Sequence, residues 1–430
     1  DLFRVDAAGG EPVRLTRGRD SWSEPVFSAD GRTLFAVFEP ESRSVYTANR
    51  VAALDWPKVG EPRILTGQLD RSVTSFGVPR DGGKVFVLAE DAGHEKLYSL
   101  SRSGGRVQAV GEMSTGAYSN LRVPATAMAV QLFANWESTT SPGEIVRIDP
   151  QSGEHTVLSN FNVARASQID WQPARHFWFE SKTGRRIHNM LVLPPGFDES
   201  KRYPLFVVIH GGPHTMWRDQ FVLRWNYHLL AAPGYVVLLT NYTGSTGFGE
   251  QFARNIERDP LKTPGEEINQ AADEAIKRFS FIDGSRQCAG GASYGGHLSN
   301  WLQATTTRYR CLVSHAGLIS LQSQWGTSDT VYTREIMNGG PPWEDSPVWQ
   351  TQSPIRYAAQ FKTPTLVTVG ESDFRVPLNN ALEYWTVLQR QRVPSRLLVF
   401  PDENHWILKG EDSRHFYQEV HAWLARWLKE

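Results

Sequence analysis

Three side chains far apart in the sequence are of the right types for nucleophilic acyl transfer. Gly291-Ala292-Ser293-Tyr294-Gly295 is a G-x-S-x-G pattern that follows an apolar run and opens a helical one, the setting a nucleophile elbow needs. The turn must be tight, so small residues flank the serine, and the turn then lifts its hydroxyl clear of the sheet. A serine hydroxyl needs a base, and the base needs an orienting carboxylate. On a parallel sheet both belong at the carboxyl ends of later strands, acid first and histidine last. Asp373 directly follows the apolar run 364–370, and His405 follows 396–402. We therefore expect Ser293 as nucleophile, His405 as general base and Asp373 as orienting acid. Glu371 and Asp402 are the rival acids. His415 and His421 are the rival histidines; both lie inside a helical pattern and read as helix-surface or packing residues.

The tetrahedral intermediate of acyl transfer needs N–H donors for its oxyanion. One is expected from the backbone of Tyr294, directly after the nucleophile. The other is expected from the loop His210-Gly211-Gly212-Pro213, whose glycines let the backbone approach the substrate oxygen. His210 and His214 stand four apart, but they have neither helical context nor a third ligand, so no metal is expected. Gly244-Ser245-Thr246-Gly247-Phe248-Gly249 is not G-x-G-x-x-G, so no cofactor is expected there. Asn241-Tyr242-Thr243 is a formal glycosylation sequon and is given no weight.

These residues need a frame. From about residue 176 the pattern alternates strand and helix. An opening hairpin spans 176–180 and 186–193. Strands follow at 205–209, 235–240, 287–291, 311–314, 364–369 and 396–400, and helices at 267–279, 297–304, 380–390 and 415–428. Strands alternating with helices imply a mostly parallel sheet covered on both faces.

Residues 1–160 read differently, as short alternating runs broken by Gly, Asp and Pro, which is all-β punctuation. Ser28-Ala29-Asp30-Gly31 recurs as Pro79-Arg80-Asp81-Gly82, and more weakly as Val123-Pro124-Ala125-Thr126. Hairpins over 2–15, 45–65, 97–110 and 145–158 alternate with these turns. Two hairpins every ~45–50 residues is the pattern of a four-stranded propeller blade. Three periods and a starting hairpin are fewer than a closed propeller takes. The expectation is a partial β-propeller over 1–172, an N-terminally incomplete chain, and an α/β domain over 173–430. A two-sheet sandwich is the alternative for the first part.

Composition narrows the partners. The 430 residues carry 45 Lys+Arg against 46 Asp+Glu, for a net charge of −1. That balance speaks against a large unpaired basic surface, so nucleic acid is not an expected partner. No apolar run approaches the ~18 residues of a membrane span, so no membrane is expected. Self-association is left open, as is the compartment, cytoplasmic or periplasmic/secreted. Cys288 and Cys311 cannot make a disulfide framework. They read as two small buried hydrophobes, with a single bridge between neighbouring strands as the alternative.

Together these motifs resemble the prolyl oligopeptidase family of serine peptidases, and within it the acylaminoacyl-peptidase and dipeptidyl-peptidase 5 branch. The resemblance rests on His210-Gly211-Gly212-Pro213, Asn241 through Gly249, Gly291 through Gly296, Gly370-Glu371-Ser372-Asp373-Phe374-Arg375-Val376-Pro377 and Pro401-Asp402-Glu403-Asn404-His405-Trp406, in order and at family-like spacing. It implies an α/β-hydrolase domain capped by a propeller that restricts access to short peptides, with no metal or organic cofactor. It implies Ser293, Asp373 and His405 as triad, and Gly212 and Tyr294 as oxyanion donors. By the same resemblance Arg375 meets substrate carbonyl or carboxylate groups, and Tyr294, Trp301 and Val376 line the pocket for the residue before the cleaved bond. There are departures. Thr243 stands where the family often has Arg, and Leu261-Lys262-Thr263-Pro264 replaces a Gly-Gly pair before the helix carrying Asp273. The sequence offers no clear acidic pair for a substrate's free amine, so dipeptide release and acyl-amino-acid release both stay open. A carboxylesterase on the same fold is the nearest rival, and a non-catalytic propeller scaffold the more distant one.

Overall fold

The computed structural model describes residues 1–124, 127 and 129–428. The weak third turn at 123–126 lies partly outside the described residues. The chain divides into two units. Unit 1 comprises Asp1–Ile169, Arg218–Phe221 and Thr246–Phe252, and unit 2 comprises Asp170–Trp217, Val222–Ser245 and Ala253–Glu430.

Unit 1 opens with a two-stranded ribbon of β1 (Phe3–Arg4) and β2 (Val13–Arg14). Three antiparallel meanders follow. The first is β3 (Ser21–Phe27), β4 (Thr33–Glu39), β5 (Arg50–Asp55) and β6 (Arg63–Ile64). The second is β7 (Val73–Gly77), β8 (Lys84–Asp91), β9 (His94–Ser101) and β10 (Gln108–Ala109). The third is β11 (Ala117–Arg122), β12 (Leu132–Ser138), β13 (Ser141–Ile148) and β14 (His155–Val157). One parallel pairing, Ala117 with Glu95, joins the second and third into a single sheet.

The repeated Asp-Gly turns are built alike. Asp30 Oδ1 accepts from the Arg32 N–H and Asp81 Oδ1 from the Gly83 N–H, while Gly31 and Gly82 take φ of 67° and 62°, a conformation that suits glycine. Side chains alternate across each strand, so the central strands are buried on both faces. Val85 and Val87 of β8 pack with Phe35, Val37, Val51 and Ala53 of the first meander. Phe86 and Leu88 point the other way, onto Tyr118, Leu121, Leu132, Ala134 and Val146 of the third.

Unit 2 is one eight-stranded sheet. Its strands are β15 (Arg175–Glu180), β16 (Arg186–Val192), β17 (Tyr203–Ile209), β18 (Val236–Asn241), β19 (Ile282–Ala292), β20 (Cys311–His315), β21 (Thr365–Gly370) and β22 (Ser395–Phe400). The order across the sheet is β15-β16-β18-β17-β19-β20-β21-β22. The first two pairings are antiparallel and the rest parallel. This is the order and orientation of an α/β hydrolase, the fold expected for this part of the chain. Phe206, Val208, Leu239 and Val313 on one face pack against Tyr227, Leu230, Phe416, Val420 and Leu424 from the helices Tyr227–Ala231 and Gly410–Trp427. Among the described residues no helix is long and apolar enough to cross a membrane.

The two cysteines correct one expectation. They are buried, but they are not separate hydrophobes: Cys288 and Cys311 form a disulfide. The parallel register of β19 and β20 sets them directly side by side, with Cα atoms 5.0 Å apart, inside the range a disulfide spans.

Segment Arg218–Phe221 ties into unit 1 through Asp219. Its buried carboxylate accepts from the N–H of Gly116 and of Thr139, both at 2.6 Å. Arg218 beside it lies 3.4 Å from Glu90 and 2.5 Å from Glu95, an acidic grouping that the linear sequence scatters. Replacing Asp219 by Ala strands two buried N–H donors, and an uncompensated buried donor costs about 1–3 kcal/mol. Asp219→Ala is expected to lower the melting temperature of unit 1 by several degrees, with Asp219→Asn intermediate. A melting temperature equal to that of the parent would contradict this.

Candidate active site

Ser293 stands between the end of β19 and the helix Tyr294–Thr305, at φ 59° and ψ −123°. A non-glycine residue keeps such a conformation only where its surroundings enforce it. A Cβ on either Gly291 or Gly295 would collide with the carbonyl oxygen of Ile209 at the end of β17. The missing side chains let that strand end press against the elbow. From the other side, the Ser293 N–H donates to the carbonyl of His315 at the end of β20, 2.9 Å away. The Ser293 carbonyl in turn accepts from the His297 N–H at 2.9 Å, starting the helix.

Asp373 stands three residues beyond the end of β21. Its buried carboxylate accepts from the N–H groups of Arg375 and Val376, both at 2.8 Å, through Oδ1. Oδ2 lies 2.7 Å from Nδ1 of His405. A carboxylate can only accept, so Nδ1 is the donor, and Nε2 is the ring nitrogen left for the serine. The loop bearing His405 is fixed by Glu403, whose carboxylate accepts from the N–H of Leu408 at 3.1 Å and of Lys409 at 2.8 Å. Next to the histidine, Trp406 lies under the guanidinium of Arg224, 3.6 Å from the ring centroid.

The structure thus joins Asp373 to His405 directly and records no hydrogen bond between Ser293 Oγ and His405. Such bonds are often long before substrate binds. What connects the two loops is His315. Its carbonyl holds the Ser293 N–H, its Nδ1 meets Thr368 Oγ1 at 2.9 Å, and its ring lies against the backbone of His405.

The glycine loop lies against the same serine. A Cβ on Gly211 would stand 3.3 Å from Ser293 Cβ and 3.9 Å from Oγ. Gly212 follows at φ 111°. The Tyr294 N–H belongs to the first turn of its helix, where N–H groups have no intrahelical acceptor. His210 is part of the scaffold: it stacks on Tyr242 at 4.2 Å and its Nε2 meets Ser245 Oγ at 2.8 Å. His214 Nδ1 meets the Gly244 carbonyl at 3.0 Å. Among the described residues no three His, Cys, Asp or Glu side chains gather as metal ligands.

The expected pocket residues are spread. Arg375 makes a two-point pair with Asp329, at 2.6 and 3.1 Å, with both side chains about half exposed. Val376 is buried among Ala316, Leu318 and Trp349. The Tyr294 ring is buried and its hydroxyl donates to the Pro260 carbonyl. Trp301 sits two turns along the helix, edge-on to Tyr357 at 5.6 Å and against Gly265. Sequence reasoning missed His315, Glu403 and Glu267. His315 ends the buried strand Cys311–His315 at the rim that carries Ser293 and Asp373, and that position was its signal. Glu267 is fully buried and accepts from the N–H and hydroxyl of Thr243, at 2.7 and 2.8 Å. Arg185 reaches the same Thr243 hydroxyl at 3.3 Å, so a guanidinium stands beside residue 243 although residue 243 itself is not Arg.

The sequence profile of the prolyl oligopeptidase family matches residues 221–430. Over 421 residues the chain is 30% identical to dipeptidyl-peptidase 5 of Schizosaccharomyces pombe, covering 97% of this chain and 60% of that protein. It is 27% identical over 442 residues to dipeptidyl-peptidase 5 of Porphyromonas gingivalis, covering 100% of this chain and 63% of that one. The acylaminoacyl peptidase of Pyrococcus horikoshii shares the fold at a TM-score of 0.85 and 23% identity, over 98% of this chain and 65% of its own. The chain therefore spans about 60% of the length of the curated relatives it matches.

Burial pushes the imidazoles of His210, His214 and His315 in unit 2 down to about 4. Unfolding returns each to its ordinary value near 6.5. Between those values the unfolded chain binds protons that the folded one refuses. The stability these groups contribute is therefore complete above about pH 6.5 and is lost as pH falls towards 4. Melting temperatures are expected to fall from pH 7.0 to 5.0, with a shallower slope in His214→Asn. A flat profile in the parent chain would contradict the buried neutral histidines.

Proposed function

We propose that the chain is a serine peptidase that hydrolyses short peptides through an acyl-enzyme. The observation that carries this reading is the Asp373–His405 hydrogen bond, formed at the same sheet rim as the strained Ser293 elbow. In the proposed reaction Ser293 Oγ attacks the scissile carbonyl as His405 Nε2 takes its proton. The oxyanion is held by the N–H groups of Gly212 and Tyr294. His405 then gives the proton to the leaving amine, and Asp373 stabilises the imidazolium meanwhile. Water repeats the sequence to release the acyl group. No step in this reading requires a metal or cofactor.

In this reading Arg375 exchanges its pairing with Asp329 for a substrate carbonyl or carboxylate. An exposed ion pair of this kind is worth about 0–1 kcal/mol, so the exchange costs little. Tyr294, Val376 and Trp301 are proposed around the residue before the cleaved bond. The meanders of unit 1 are proposed as blades of a β-propeller that limits access, with residues 1–172 forming that domain and 173–430 the catalytic one. The relatives at 30% and 27% identity, both named dipeptidyl-peptidase 5, support release of dipeptides from unblocked peptides over release of acyl-amino acids.

Ser293→Ala is expected to lower kcat by roughly 10³–10⁶-fold on a dipeptidyl anilide, with the thermal melt unchanged. Peptidase activity persisting in the purified variant would overturn the assignment. Wild-type turnover of the matched ester with none of the amide would replace the peptidase by a carboxylesterase. Faster cleavage of the N-acetylated substrate than of the free one would replace the dipeptidyl mode by the acylaminoacyl mode.

A further inference from the structure

The short helix Val331–Asn338 is pinned at both ends to neighbours of the reactive groups. Before its start, the Asp329 N–H donates to the Phe374 carbonyl at 3.0 Å and the Asp329 carboxylate holds Arg375. At its end, the Met337 carbonyl accepts from the Arg258 N–H at 2.7 Å. Two residues beyond Arg258, the carbonyl of Pro260 accepts from the Tyr294 hydroxyl. The middle of this helix therefore lies between the loop after Asp373 and the ring of Tyr294.

Arg334 occupies that middle and turns inward, with 8% of its surface exposed. A buried guanidinium stays charged and normally has a carboxylate or several carbonyls around it. Arg334 has neither. Among the described residues its Nε has no hydrogen-bond partner, and the contact recorded for its head is Nη1 to the Met337 sulfur at 3.6 Å. The charged and ionisable groups that act on it are Tyr294 and Arg375, with no acid among them. Polar atoms on its own helix and on the neighbouring one are also unmet. His297 Nε2, on the helix that starts at Tyr294, has no partner, and neither does either side-chain amide atom of fully buried Asn338. Asn338 lies four residues on from Arg334, on the same helix face. A buried cation near the ring of Tyr294, with unmet polar atoms on its own helix and on the helix that starts at Tyr294, has the chemistry to receive an anion.

We propose that Arg334 is a specificity-determining residue that takes the side-chain carboxylate of an acidic residue supplying the scissile carbonyl. The proposal rests on the serine-peptidase reading above. The acyl carbon is bonded to Ser293 during the reaction, and Tyr294 is the next residue. A carboxylate two or three bonds from the α-carbon of the acyl residue is the substrate anion held closest to this spot. Asn338 and the neutral His297 ring supply further polar contacts around it.

The test compares Ala-Glu with Ala-Gln p-nitroanilide, which differ in charge and hardly in shape, each free and N-acetylated, on the full chain. The wild type is expected to favour Glu over Gln in kcat/KM by about tenfold or more, the scale of a charge-assisted hydrogen bond. Arg334→Met is expected to bring the ratio to about one, chiefly by raising KM for the Glu substrate. Arg334→Lys is expected to keep part of it, because the charge remains without the two-point geometry. The melting temperature of Arg334→Met is expected at or above that of the parent, since an unpaired buried charge has been removed. A wild-type Glu:Gln ratio of one or below would overturn the anchor while leaving the peptidase standing. No cleavage of these or of Ala-Ala p-nitroanilide would overturn both. A preference for tripeptide acids over tripeptide amides, lost in Arg334→Met without any Glu:Gln preference, would place the carboxylate on the leaving side and overturn the side-chain source.

Discussion

A serine held in a backbone conformation that its own side chain disfavours is the constraint on which unit 2 turns. The strand ends at Ile209 and His315 grip the elbow through carbonyl oxygens, one by close packing against glycines and one by a hydrogen bond. The grip comes from main-chain atoms of a parallel sheet, so the sheet has to be complete for it to exist. Residues that sit hundreds of positions away from most of unit 1 are thereby placed by strand register, a property with almost no freedom once both faces are buried.

The second half of the site is organised around an acceptor. The Asp373 carboxylate takes two backbone N–H groups from its own loop and one from an imidazole. That arrangement fixes which ring nitrogen of His405 bears the proton without any further device. Glu403 does similar work on the following loop, where its carboxylate gathers N–H groups ahead of the closing helix. Two buried carboxylates thus shape the two loops that must meet, and His315 lies between them and the elbow.

Much of this was legible in the chain. Long apolar runs such as 205–209 and 235–240 mark strands buried on both faces; the first lies inside β17 and the second overlaps β18 from Val236 on. The repeated Asp-Gly turns appeared where alternating runs broke off. What escaped was whatever depends on partners remote in sequence. The pairing of Cys288 with Cys311 is a consequence of register between two strands. Glu267 lies in a helix whose spacing reads as an apolar face, and its partner is 24 residues away. That helix also begins five residues earlier than its apolar period suggests, with Pro264 in its first turn, where proline is tolerated. The helices Leu321–Thr327 and Val331–Asn338 are short and mixed in polarity, so they carry too few periods to be read, and Arg334 was hidden with them.

The way the elbow is secured has an evolutionary corollary. Because main-chain atoms set the posture of Ser293, drift among the surrounding side chains leaves the reactive centre undisturbed. The proposed anion anchor near Tyr294 is carried by a separate eight-residue helix, anchored at its ends and open to change in its middle. Descendants of such a protein can acquire new appetites by exchanging one or two residues of that helix while inheriting the reaction unaltered.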